Sequence, residues 1–230
     1  RINFNTVPGD SIFVEQDPSR NYIVNWNLTV QRQLAGGWAL TASYVGSRGY
    51  NMAFATDDAN IVLPVSQSPN GPVWPFPSGS GTVTDPSAGT LRSTWWNGSS
   101  KYNGLQLQIN RPLNHGVQAQ TSYTWSKCTD DGSEASRGDQ FQNGITTPIF
   151  FDMTHRTGPC AFDLRHVLVA NALWLIPGPT AGGAGAILGN WQLGGILSAS
   201  TGVPFSVVMG GDPLGLKGTD ANGWPDLINS

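Results

Sequence analysis

Charge is what this chain has least of. Lys, Arg, Asp and Glu make up only 12% of its 230 residues, about half the share usual in a soluble domain. Long apolar runs are absent too. No stretch of about 18 consecutive apolar residues occurs, which excludes a spanning helix. Disorder is excluded for a different reason, since it needs high charge and few aromatics, whereas aromatics reach 10% here and nine are Trp. A formal net charge of −3 removes the basic footprint of a nucleic-acid binder, so no nucleic acid is expected as partner. The two cysteines, Cys128 and Cys160, form no CxxC or CxxCH, which removes the zinc and haem readings. No GxSxG and no phosphate-binding loop is present, so no cofactor is expected and the chain is not expected to be an enzyme.

What replaces the charge is glycine (29 residues), tryptophan, and uncharged Asn, Gln, Ser and Thr. The stretch Tyr102–Lys127 shows how they are arranged. Leu105, Leu107 and Ile109 alternate with Gln106, Gln108 and Asn110. Val117, Ala119, Thr121, Tyr123 and Trp125 alternate with Gln118, Gln120, Ser122, Thr124 and Ser126. A period of two over such arms predicts strands, and Asn114-His115-Gly116 predicts the tight reversal. One face is apolar and aromatic. The other is amide and hydroxyl, where a soluble sheet would carry Lys and Glu. That contrast suits lipid on one side and a water-filled lumen on the other.

In chain order, strands are expected at 22–34, 38–48, 102–113, 117–127, 165–176 and 190–201. Weaker candidates are Arg1–Val7, Ser11–Glu15 and Pro204–Met209. None of the fifteen acidic residues falls in the six main strands. Leu28, Arg32, Leu34, Gly37, Ser43, Tyr44 and Ser47 fall, at one constant offset, on Leu107, Arg111, Leu113, Gly116, Ser122, Tyr123 and Ser126. The first two hairpins are therefore internal repeats, as an up-and-down meander would produce. The expected fold is all-β: an antiparallel up-and-down meander of six to eight long strands, part of a transmembrane β-barrel. We expect a single barrel segment over 1–230.

The connections alternate short and long. The stretches 49–101 and 128–164 are the long ones, rich in Pro, Gly, Ser and Asp, and 177–189 is a Gly/Ala/Pro link. Outer-membrane barrels have short periplasmic turns and long external loops. On that pattern Tyr22, Trp26, Tyr44, Tyr102, Tyr123 and Trp125 fall at the external ends of strands. Trp38, Trp174 and Trp191 fall at the periplasmic ends. These are the expected membrane-interface residues, since amphipathic rings settle at both interfaces. Arg32 and Arg111 fall at the periplasmic end, within reach of headgroups. The expected location is the bacterial outer membrane, with its lipid as a partner; an extracellular location is the alternative.

Candidate chemistry is sparse. Cys128 and Cys160 lie in one external loop, where an exported protein would pair them; the alternative is two unrelated thiols. Asp130, Asp131, Glu134 and Asp139 form a weak calcium candidate whose spacing does not match an EF-hand, and a solvated acidic loop competes with it. Arg137-Gly138-Asp139 is a tripeptide that recurs by chance. His115, His155 and His166 have no ligand spacing. Asp163, Arg165 and His166 read as an ion pair at a loop base rather than acid/base chemistry.

The stretches NWNLTVQRQL…GWALTASYVGSRG, YNGLQLQINR…GVQAQTSYTWSKC, GPCAFDLRHVLVANALWLIPG and GNWQLGGILSASTGVPFSV together resemble the barrel of TonB-dependent outer-membrane receptors. The nearest branch is the Oar-like one, which carries a carboxypeptidase-regulatory-like domain. The resemblance covers roughly residues 20–210. It implies a parent barrel of about 22 strands with an internal plug, coupled through TonB to import of a bulky substrate. No plug and no TonB box is read in this chain, which begins at Arg1 without a leader and is read as a mature or internal piece. The competing expectation is a structural fragment that self-assembles through its strand edges into an extracellular β-rich fibre or tube. A soluble β-sandwich module is disfavoured by the uncharged polar face.

Overall fold

The computed structural model describes residues 11–56, 59–60, 65–69, 71–73, 75, 84, 88–89, 91–133, 157–179 and 181–205. Ten strands and one short helix follow in order: β1 (Ser11–Val14), β2 (Tyr22–Gln33), β3 (Ala39–Thr56), β4 (Ser66–Ser68), β5 (Gly71–Val73), β6 (Leu91–Asn114), β7 (Val117–Asp130), β8 (Gly158–Pro159), β9 (His166–Leu175), α1 (Gly182–Leu188) and β10 (Gln192–Ser200). Six of them form a continuous sheet in the order β10-β9-β7-β6-β3-β2, each paired with its neighbour in sequence along that path. Every pairing on the path is antiparallel. This is the meander that period two and the turn residues predict. Two short strands join it at one end: β1 runs parallel to β6 and β8 antiparallel to β7. β4 and β5 make a separate two-stranded ribbon.

The two sequence repeats are also repeats in register. Leu28 pairs with Tyr44 in the first hairpin, and Leu107 pairs with Tyr123 in the second. Thr29 faces Ser43, and Gln108 faces Ser122. The turns differ in detail. In the first, Gly36 and Gly37 both take positive φ within a 3-10 turn, Ala35–Gly37. In the second, His115 (φ 50) and Gly116 (φ 78) are the two central residues. Positive φ at both positions is the type I′ requirement, which matches the strand twist. The non-glycine residue in the left-handed region is thus His115, and Asn114 ends β6.

Two expectations need correction. The stretch 49–101 is not loop throughout: β3 continues to Thr56 and β6 starts at Leu91. Met52, Ala53, Phe54, Ala55 and Thr56 pair with Gly98, Trp96, Trp95, Thr94 and Ser93 across a bulge after Gly49. That bulge, with Asn51 at φ 52, breaks the alternation by which a strand is read. The adjacent Trp95 and Trp96 break it again on β6. Likewise the stretch 128–164 gives Cys128–Asp130 to β7 and Gly158–Pro159 to β8. Within 177–189, the link contains α1. Ser11–Val14 is a strand, and Pro204 and Phe205 are not in one. Arg1–Val7 and 206–209 lie outside the described residues.

Strand length divides the sheet. A tilted strand of about 9–11 residues crosses a bilayer. β2, β9 and β10 have 12, 10 and 9 residues, while β6 has 24 and β3 has 18. The excess of β3 and β6 projects past the loop end of the sheet, where β1 joins it. Burial follows the same division. Phe54 (2% exposed), Cys160 and Ser93 lie in or beside that projection, whereas every residue of β2 and β10 is exposed. The six-stranded part therefore has no core of its own. Its apolar face must be covered by something other than this chain's described residues.

Candidate membrane-spanning surface and outer cap

Residue pairing carries the two faces of the hairpins across the whole sheet. On one face a row runs Val30–Ala42–Leu107–Tyr123–Leu168–Ala199, and the next runs Leu28–Tyr44–Leu105–Trp125–His166. On the other face a row runs Gln31–Thr41–Gln108–Ser122–Val169–Ser198, beside Thr29–Ser43–Gln106–Thr124–Val167–Ser200. Alternation along one strand is local. Rows that keep one character across β2, β3, β6 and β7, with Val167 and Val169 of β9 interrupting the polar ones, require those registers to agree, because a one-residue slip would exchange the faces.

The apolar face carries its large side chains exposed: Leu28, Val30, Tyr44, Ile109, Trp125, Trp174, Leu193 and Leu197 are each at least 40% accessible. At its loop end Trp26 lies across Gly46, where an added Cβ would overlap the indole. Tyr44 donates from Oη to Asn103 Oδ1 at 2.7 Å, and Tyr123 Oη and His166 Nδ1 are hydrogen-bonded at 2.8 Å. Tyr22 stacks on Tyr50. At its turn end, Arg111 lies over the Trp38 ring at 5.5 Å. Trp174 pairs with Leu193 and Val117 there. Trp191, just before β10, donates from Nε1 to the Ile187 carbonyl at 2.8 Å. Polar tips with apolar bodies thus stand at both ends of one apolar face.

Tyr102 is the exception among the expected interface residues. It pairs with Ser47 and Cys128 and so belongs to the polar face. Its ring lies over Gly104, where a Cβ would come within 2.7 Å of the hydroxyl. With Thr124, Ser126, Cys128, Phe162 and Asp163 it lines a cavity of about 280 Å³. Position along the strand puts Tyr102 near the end; parity, which separates the faces, puts it on the polar side.

The loop end is tied by a disulfide between Cys128 and Cys160, with Cα atoms 5.4 Å apart and a sequence separation of 32. The Cys160 amide donates to the Cys128 carbonyl. Two buried aspartates secure the same region. Asp163 accepts from the Cys128 amide at 2.8 Å and from Arg165 Nη2 at 3.4 Å. Asp131 accepts from the Ser99 amide (2.6 Å) and hydroxyl on one oxygen, and from Thr157 Oγ1 (2.6 Å) on the other. The sequence offered Asp131 as a calcium candidate; here it joins β6 to residue 157. Asp130 accepts from Ser133 Oγ. Glu134 and Asp139 lie outside the described residues, as do Arg137, Gly138 and His155. Among the described residues no group of three or more His, Cys, Asp or Glu is gathered as a metal site. Asp163 and Arg165 form the ion pair expected at a loop base, and His166 faces the other way, toward Tyr123. Sequence reading missed the role of Ser99 and Thr157, because hydroxyl partners of a carboxylate leave no spacing signal.

Such a sheet has the properties of one wall of a membrane β-barrel: its backbone bonds are made between strands, lipid suits one face and water the other. In agreement with that class, the family model described as an outer membrane beta barrel domain matches residues 2–230. The chain belongs to that family. No curated protein and no solved structure matches it. The protein is accordingly a barrel segment of the bacterial outer membrane, embedded in its lipid. The disulfide-tied end is the end with the long connections, the kind that faces outward in outer-membrane barrels.

Proposed function

We propose that this segment forms part of a TonB-dependent receptor barrel that binds or takes up a bulky substrate, and that it takes part in no catalysis. The observation that carries this reading is the row pattern: a polar, uncharged face across β2, β3, β6 and β7, broken by Val167 and Val169 of β9, suits a large water-filled or plugged lumen rather than a sealed small barrel. The four sequence blocks that resemble the Oar-like receptors support the same reading. The projecting strands β3 and β6 with β1 would then present the outer loops to substrate. TonB and a plug would be partners of the parent barrel. The test is made on the native polypeptide. Its denatured mass should be several times the 24.5 kDa of this chain, and substrate uptake should stop when TonB is deleted or the proton gradient is collapsed. A native polypeptide of this mass alone, or uptake indifferent to TonB, would overturn the proposal.

A second reading is favoured by one observation. β2 pairs only with β3, and β10 only with β9, so both edges of the sheet are open among the described residues. Open edges recruit further strands. If the native polypeptide has the mass of this chain, we propose that copies pair edge to edge into a fibre or tube. A monomer in detergent whose size does not change with concentration would oppose it.

A further inference from the structure

We infer that Arg48, Lys101 and Lys127, on the outward end of the apolar face, form a site for the phosphate groups of outer-leaflet lipid headgroups. The inference goes beyond the receptor reading and holds for any outer-membrane barrel with this sheet, whether or not TonB drives it.

Register places the three together. Arg48 of β3 is directly opposite Lys101 of β6. Lys101 is opposite Thr129, and Lys127 opposite Asn103, which makes Lys101 and Lys127 diagonal neighbours on β6 and β7. Directly opposite residues have Cβ atoms about 4.5–5.5 Å apart, and diagonal ones about 7–8 Å. All three share the face of Tyr44, Leu105 and Trp125, all three are exposed, and Arg48 is braced over the Tyr50 ring at 5.3 Å.

Like charges directly opposite on neighbouring strands destabilise a sheet, so something must offset them. Among the described residues no carboxylate is ion-paired with any of the three; Glu15 accepts from the Trp96 amide. Asp130 belongs to the other face, paired with Ser100, and the buried Asp131 and Asp163 are held by Ser99, Thr157, Cys128 and Arg165. At the outward end Arg48, Lys101 and Lys127 thus share the lipid-facing side, whereas Arg165 on the cap side is matched by Asp163. A phosphate-bearing headgroup at the edge of the apolar band meets those cations where its acyl chains meet Leu105, Tyr44 and Trp125. A guanidinium and two ammonium groups offer the charge-assisted donors that phosphate oxygens accept. A free phosphate would use the same donors but gains nothing from the apolar rows below them.

The test uses the purified barrel in neutral detergent, titrated with lipid A carrying both phosphates, with dephosphorylated lipid A, with phosphatidylcholine and with inorganic phosphate. Retained lipid is read by native mass spectrometry. The bisphosphorylated lipid should be held preferentially, and Arg48→Gln, Lys101→Gln and Lys127→Gln should each weaken it by about fivefold, as expected for one basic residue near an anionic surface. Lys101→Arg and Lys127→Arg should retain it, and Arg111→Gln, at the opposite end, should leave it unchanged. Without lipid A, Lys101→Gln should melt no lower than the parent, because a repulsion has been removed. The inference fails if dephosphorylated lipid binds as well, if inorganic phosphate displaces the lipid at equal concentration, or if Arg111→Gln weakens binding as much as the rim variants.

Discussion

An arginine placed at position 107 and one placed at position 108 should have unequal effects, although the two residues are neighbours. Leu107 lies in the row between Ala42 and Tyr123, and Gln108 in the row between Thr41 and Ser122. On the face of Leu107, β6 carries its charges at Lys101 and Arg111. The ten residue steps from one to the other span roughly 34 Å at about 3.4 Å per residue. A strand tilt of about 40° reduces this to roughly 26 Å of height, close to the apolar band of about 25 Å in outer-membrane barrels. Leu107 stands four residues from Arg111, roughly 14 Å along the strand, so it falls in the middle of that band. Arginine there should cost about 2–4 kcal/mol, the depth-dependent penalty near the midplane. At position 108 the guanidinium would meet hydroxyls and water, and the cost should stay within about 0.5 kcal/mol. The assay is reversible guanidinium unfolding of the barrel from phosphatidylcholine vesicles, followed by tryptophan fluorescence. Equal costs for Leu107→Arg and Gln108→Arg, or a larger cost at 108, would refute the assignment of the faces.

Further predictions concern the cap and the interface. Replacing Cys128 and Cys160 by Ser should cost roughly 3–4 kcal/mol by the loop-closure relation for the 32-residue separation, seen as an earlier denaturation midpoint that reductant no longer shifts. Asp131→Ala strips three hydrogen bonds from Ser99 and Thr157; a loss of about 2–4 kcal/mol at the cap should appear as faster protease cleavage near residue 157, while Asp131→Asn should fall between. Gly46→Val should drive the Trp26 indole off the strand, costing about 1–3 kcal/mol of overpacking and changing the near-ultraviolet circular dichroism. An unchanged spectrum would show that Trp26 does not lie across Gly46.

Particular residues show how far the chain could be read before it was folded. Leu105 to Asn110 and Val117 to Ser126 state their own faces, because alternation is a property of consecutive residues. The repeat of Leu28 and Tyr44 at Leu107 and Tyr123 was visible, and the shared register follows it. Position along the strand puts Tyr102 near an interface, but its parity assigns it to the cavity side. The projections Met52–Thr56 and Leu91–Ser99 were hidden by a bulge and by paired tryptophans, which erase period two although the strands pair on.

Local physics therefore determined the strands' two-faced character, the tight turns and the unsuitability of the chain for a charged aqueous surface. Each depends on residues a few positions apart. Tertiary structure alone decided which residues share a row, how far β3 and β6 extend, that Asp131 meets Ser99 and Thr157, and that Arg48 faces Lys101. These are contacts between segments distant in sequence, made only when several strands lie in one register, and no single strand's pattern encodes its neighbour's offset.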